Sequence, residues 1–249
     1  TSGGAVIIRA DGGAQGPIEV AYNTFLRTLG SAVMVEQDVA VDIIGNTIRS
    51  VGGSQSVGVR LRGRREARVE NNHIDDVDNG IDIRDKLGTM GLNNFAGVRK
   101  LGINQETRGN CVDGRFNWWG DAFGPEDTSA VTDSCPDTLK TNPDHRNGKG
   151  VSDGVRYRDW LTQAPPRIPL VELPRSGHTN QATQRLIGRG EPGSGIRVYD
   201  RAGTATDETA ITTALVGPDG RFDIALALQP GTHHLSVESF APYASGAAG

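Results

Sequence analysis

Five copies of one short word, Asn-x-apolar, constrain the fold of this chain more than any other feature. They are Asn23-Thr24-Phe25, Asn46-Thr47-Ile48, Asn72-His73-Ile74, Asn93-Asn94-Phe95 and Asn117-Trp118-Trp119, at spacings of 23, 26, 21 and 24 residues. A period in the low twenties marks a solenoid. Between the words lie alternating segments, Val6-Ile7-Ile8, Val33-Met34-Val35, Val59-Arg60-Leu61, Ile81-Asp82-Ile83 and Leu101-Gly102-Ile103, each with one side chain row in and one out. One coil cannot bury its inward row alone, whereas stacked coils align Ile on Val on Leu. A leucine-rich repeat would need a Leu-rich signature that is missing, and an α-solenoid a helical periodicity that is absent. The expectation is an all-β fold that begins with a parallel β-helix of about five coils over residues 1–120. Composition agrees: 34 glycines and 5% aromatic residues suit short strands and turns.

The five words, with strands of the Gly80-Ile81-Asp82-Ile83 type, resemble the right-handed parallel β-helix superfamily, which includes pectate-lyase-like and other carbohydrate-binding or sugar-hydrolysing proteins. The resemblance implies fold more strongly than function. The repeated Asn23, Asn46, Asn72, Asn93 and Asn117 are expected to stack as a ladder of amides that satisfies buried backbone at one corner of successive coils. None is read as catalytic.

The richest polar stretch runs from Asn71 to Asp85. His73 is a candidate acid or base, Asp75, Asp76, Asp78 and Asp82 are candidate carboxylates for Ca2+ or for catalysis, and Arg60, Arg62 and Arg84 would suit bidentate contact with sugar carboxylates. A calcium loop ending at Gly80 would place Val77 at a ligand position, so that pattern fails. Asp78-Asn79-Gly80 also suits a tight turn. Alternation sends Arg60, Arg62, Asp82 and Arg84 outward, where opposite charges on neighbouring coils would sit side by side. The sequence favours a solvated face and a turn over a glycan surface, and a glycan surface over catalysis.

Residues 110–163 are expected to break the repeat as a loop-rich cap. The words Asn117-Trp118-Trp119-Gly120, Gly124-Pro125, Gly148-Lys149-Gly150-Val151-Ser152 and Val155-Arg156-Tyr157-Arg158-Asp159-Trp160-Leu161 resemble a segment that ends many bacterial β-helix proteins. Trp118, Trp119 and Trp160 are candidates for stacking on sugar rings, with plugging the last coil the favoured role. Cys111 and Cys135, the only cysteines, are expected to form a disulfide, since zinc would need more ligands. Such a bond suits an oxidising compartment.

Residues 164–177 carry Pro165, Pro166, Pro169 and Pro174 and read as a stiff linker. From residue 178 to 249 the pattern becomes hairpins, with strands expected at 185–187, 195–199, 210–216, 221–228 and 233–239. The words Gly188-x-Gly190-Glu191-Pro192-Gly193, Asp219-Gly220-Arg221-Phe222 and Leu228-x-Pro230-Gly231-Thr232-His233-x-Leu235 resemble bacterial Ig-like domains of surface and secreted proteins. The resemblance implies a small β-sandwich that spaces or adheres. The weak final residues leave it incomplete, with a neighbouring chain a candidate source of a last strand.

A formal net charge of −4 gives no reason to expect nucleic acid, and no apolar run is long enough to span a membrane. A strand beginning within five residues of Thr1 leaves an edge for upstream coils or a second copy. The expectations are an extracellular or cell-surface structural or adhesive protein, non-catalytic, partnered by other copies or further segments of a larger protein. The alternatives are a fragment of a polysaccharide lyase or hydrolase, or a glycan-binding module. No cofactor is expected, with Ca2+ the one candidate.

Overall fold

A computed structural model describes residues 4–9, 16–49, 51–85, 88–107, 110–127, 135, 148–167, 169–173, 183–200 and 210–240. They divide into two compact units between Pro165 and Pro166, and every regular element among them is a β-strand.

In the first unit β1 (Gly4–Ile8), β2 (Ile18–Ala21) and β3 (Thr24–Leu26) form one turn, and β4 (Leu29–Val35), β5 (Val41–Ile44) and β6 (Thr47–Arg49) the next. They are followed by β7 (Gly52–Arg62), β8 (Ala67–Glu70), β9 (His73–Arg84), β10 (Gly88–Gly91), β11 (Asn94–Gln105), β12 (Val112–Asp113), β13 (Gly150–Val151) and β14 (Val155–Arg156). One face is the parallel series β1-β4-β7-β9-β11-β13 and a second is β2-β5-β8-β10-β12-β14. The third joins β3 and β6 to the first residues of β9. The result is a parallel β-solenoid of about four turns.

Register makes the core. Val6, Val33, Val59, Ile81, Ile103 and Val151 lie in one column, and Val20, Ile43, Val69 and Met90 in another. Val33, Val59, Ile81 and Ile103 are fully buried, each contributing roughly 1.5–3 kcal/mol of transfer free energy. The large residue of each word, Phe25, Ile48, Ile74, Phe95 and Trp119, is also buried.

Two expectations are corrected. Asp78-Asn79-Gly80 is no turn: it lies inside β9, with Asn79 paired to both Val57 and Leu101. The left-handed residue of this strand is Asp76, at φ 52°. Gly80 is needed for space, since a Cβ there would sit 2.5 Å from the Gly102 carbonyl oxygen and 2.8 Å from the Phe95 ring. Nor does the segment from residue 110 break the stacking. β12 and β14 extend the second face, β13 extends the first, and Trp118 bridges to Asn94 on the third. The segment's Trp119 and Tyr157 are fully buried, with the Trp119 ring 5.3 Å from that of Phe95. Cys111 and Cys135 are bonded, with Cα atoms 5.3 Å apart.

The second unit contains β15 (Leu170–Leu173), β16 (Thr183–Arg189), β17 (Gly195–Asp200), β18 (Thr212–Leu215), β19 (Arg221–Ala227) and β20 (Leu235–Phe240). They form two antiparallel sheets, β15-β16-β19 and β18-β17-β20. Strict alternation along β19 buries Phe222, Ile224 and Leu226 with Leu186, Ile196, Val198 and Val216. The proline-rich stretch thus contributes a strand, β15, that pairs with β16. The final strand begins at Leu235 rather than His233, whose ring is held elsewhere. The terminal residues 241–249 lie outside the described residues.

Candidate polar groove on the solenoid

The ladder asparagines are structural, as their bonds show. The backbone N–H of Asn23, Asn46, Asn72 and Asn93 donates to the side-chain oxygen of the next ladder residue at 2.9, 2.9, 3.0 and 2.8 Å. Each Nδ2 of Asn46, Asn72 and Asn93 donates both to the next amide and back to a carbonyl of the preceding coil, at Val20, Ile43 and Val69. These side chains have no capacity left for chemistry.

The outward residues of β7, β9 and β11 form the site. Register places Arg60 beside Asp82 and Asp82 beside Asn104. The Asp82 Oδ1 accepts from Asn79 Nδ2 at 2.8 Å and from Asn104 Nδ2 at 3.2 Å. Its Oδ2 lies 3.5 Å from Arg60 Nη2, and the two side chains are only 6% and 16% exposed. Outward alternation is therefore correct but full solvation is not, because walls rise on both sides of this column.

Asp78 and Lys100 form one wall, with Lys100 Nζ 3.3 Å from Asp78 Oδ2. Behind them Arg99 donates from Nε to Asp78 at 2.9 Å and from Nη2 to Ser56 Oγ at 2.9 Å. The Arg99 hydrogen bond, reinforced by Lys100, holds the Asp78 carboxyl below the usual carboxylate range. Arg62 and Glu106 stand on the other side. Together with Gln55 and Leu101 these residues enclose an open groove of about 400 Å³ that crosses three successive coils. At its base Arg60 Nε and Asn79 Oδ1 are buried without a hydrogen-bond partner.

The other candidates lie elsewhere. His73 sits on the third face, its Nε2 3.1 Å from the Pro165 carbonyl oxygen. Asp75 pairs with Arg49 at 3.3 Å and Asp76 with Arg99 at 2.5 Å. Arg84 lies 3.7 Å from Glu106 but does not line the groove. Asp75, Asp76, Asp78 and Asp82 each face a basic side chain, and the described residues contain no group of three or more His, Cys, Asp or Glu arranged to hold a metal ion. Trp119 is fully buried and unavailable to a ligand, Trp118 is half-buried, and Trp160 packs on the core while its Nε1 donates to the Ala122 carbonyl at 3.0 Å.

Sequence reading missed Asn79, Asn104, Lys100, Glu106 and Gln55. Arg60, Asp82 and Asn104 recur at intervals of 22 residues, so aligning the coils by their strands rather than by their asparagines would have found the column.

Fold and groove define a class, an all-β protein whose parallel β-solenoid carries a polar groove on one face and is followed by two antiparallel sheets. Comparison with protein-family models, with curated proteins and with solved structures returned no match.

Proposed function

We propose that this chain is a non-catalytic adhesive module of an extracellular protein, in which the solenoid is a rigid scaffold, the groove across β7, β9 and β11 contacts saccharide, and the second unit is an Ig-like spacer. The single observation that carries this reading is the Arg60–Asp82–Asn79–Asn104 cluster. It offers fixed donors and acceptors in a half-enclosed site. Sugar hydroxyls both donate and accept, and suit a lining that mixes guanidinium, carboxylate and amide groups. The rise of one coil, about 4.8 Å, is close to the length of one pyranose ring, so three coils suit a short run of a glycan.

Against catalysis stands the state of the acids. Asp78 is held ionised by Arg99 and Lys100, whereas general-base chemistry needs a carboxylate poised near the working pH; the Asp82 oxygens are taken up by Arg60 and two amides. The disulfide supports an oxidising compartment.

The test is a glycan array that includes neutral and acidic polysaccharides, run with and without calcium, followed by chain-length measurement of every bound glycan. Retention of a glycan at unchanged length is expected. Shortened products would replace this reading with a lyase or hydrolase, and an empty array would remove the saccharide from it.

A further inference from the structure

The loop between β19 and β20 holds a histidine whose two ring nitrogens both face acceptors. His233 Nδ1 lies 2.5 Å from Asp200 Oδ2 at the end of β17, and His233 Nε2 lies 2.6 Å from the Gln229 carbonyl oxygen. A neutral imidazole carries one N–H, so it serves one of these acceptors and turns a lone pair toward the other. Only the imidazolium donates to both. The same carboxylate reaches further along the loop, where Asp200 Oδ1 accepts the backbone N–H of His234 at 3.2 Å. His233 and Asp200 are 20% and 16% exposed, enough for exchange of the proton with water.

We propose that residues 229–234 form a proton-operated latch, closed onto the end of β17 when His233 is charged and loosened when it is neutral, because one of the two ring hydrogen bonds is then lost. The groups that face the ring are Asp200 of β17 and the Gln229 carbonyl of its own loop, with His234 its titratable chain neighbour. Hydrogen bonding to Gln229 and then to Asp200 raises the His233 pKa above the ordinary histidine value. The sign follows: a raised folded-state pKa gives stabilisation that is complete below the unfolded value and is lost as pH rises through the folded one. The latch is closed below the raised midpoint and loosens above it, changing the surface that the second unit presents.

The whole chain tests this. Amide exchange of residue 234, corrected for the intrinsic pH dependence of exchange, would be followed from roughly pH 5 to 9 alongside NMR titration of the His233 ring. Protection of that amide should fall several-fold as the ring loses its proton, with both ring nitrogens protonated below the midpoint. His233→Gln should give a flat profile, and Asp200→Asn a lower midpoint. Protection that ignores pH in the wild type, or a His233→Gln protein that keeps the wild-type profile, overturns the latch. Should either variant fail to fold, the wild-type ring decides alone, since titration at or below the ordinary histidine value contradicts it.

Discussion

The side-chain oxygen of Asn93 accepts two hydrogen bonds from Asn72, one from its backbone N–H and one from its Nδ2, each at 3.0 Å. Both residues are fully buried. Asn93→Ala would orphan the Asn72 backbone N–H and the Val69 carbonyl, which receives the Asn93 amide at 2.8 Å, while the Asn72 Nδ2 keeps the Ile43 and Glu70 carbonyls. At about 1–3 kcal/mol for each buried polar group left unpaired, the expected loss is about 3 kcal/mol. Asn23→Ala at the exposed end of the ladder should cost under about 1 kcal/mol. All three tryptophans belong to the first unit, so their fluorescence during denaturant unfolding reports the solenoid.

Glycines where strands approach closely should resist even a methyl group. Gly80→Ala would bring its Cβ to 2.5 Å from a backbone oxygen and 2.8 Å from Phe95, whereas the nearest atom to a Cβ at Gly91 is at 3.4 Å. Gly80→Ala is expected to destabilise by about 1–3 kcal/mol and Gly91→Ala by far less. Equal midpoints in the same denaturant titration would contradict the packing described for the word residues.

Acid should weaken the wall of the groove. Because the Asp78 pKa is depressed by Arg99 and Lys100, its contribution to stability is present above the unfolded-state pKa and is lost as pH falls through the lower folded value. The affected window lies below about pH 4. Asp78→Asn should flatten the acid limb of the melting-temperature profile, and an unchanged limb would show that these contacts do not form in solution.

Reducing the Cys111–Cys135 bond releases a constraint across 24 residues, worth roughly 3 kcal/mol in the chain-entropy model. Thermal melts with and without reductant should separate in the wild type and coincide in the Cys111→Ser, Cys135→Ser double variant. Superposed wild-type melts would mean that the bond does not contribute.

What could be read from the chain was what repeats in kind. The ladder asparagines occupy one environment in every coil, so their spacing revealed the solenoid. The residues just before them share a conformation without sharing a type: Tyr22, Gly45, Asn71, Leu92 and Phe116 all have φ between 56° and 66°, which local preference favours at Gly45 and Asn71 but not at Tyr22, Leu92 and Phe116. The groove was harder still. Its base joins Arg60, Asp82 and Asn104 across three strands, and the register shifts in the β9–β11 pairing are set by tertiary packing. Gly80 was misread as a turn glycine because close approach and positive φ select the same residue. β15 was hidden because prolines crowd its flanks, although Leu170, Val171 and Leu173 pair with Arg189, Gly188 and Ile187 of β16 across a register shift.

The claim that the groove contacts saccharide is tested most directly by hydrogen–deuterium exchange of the whole chain with a glycan that the array retains. Added protection is expected in residues 55–62, 78–84 and 99–106, and Arg60→Ala should abolish it while leaving the tryptophan-reported fold intact. Protection confined to the region of Trp118 and Trp160, or to the second unit, would contradict the assignment of the groove.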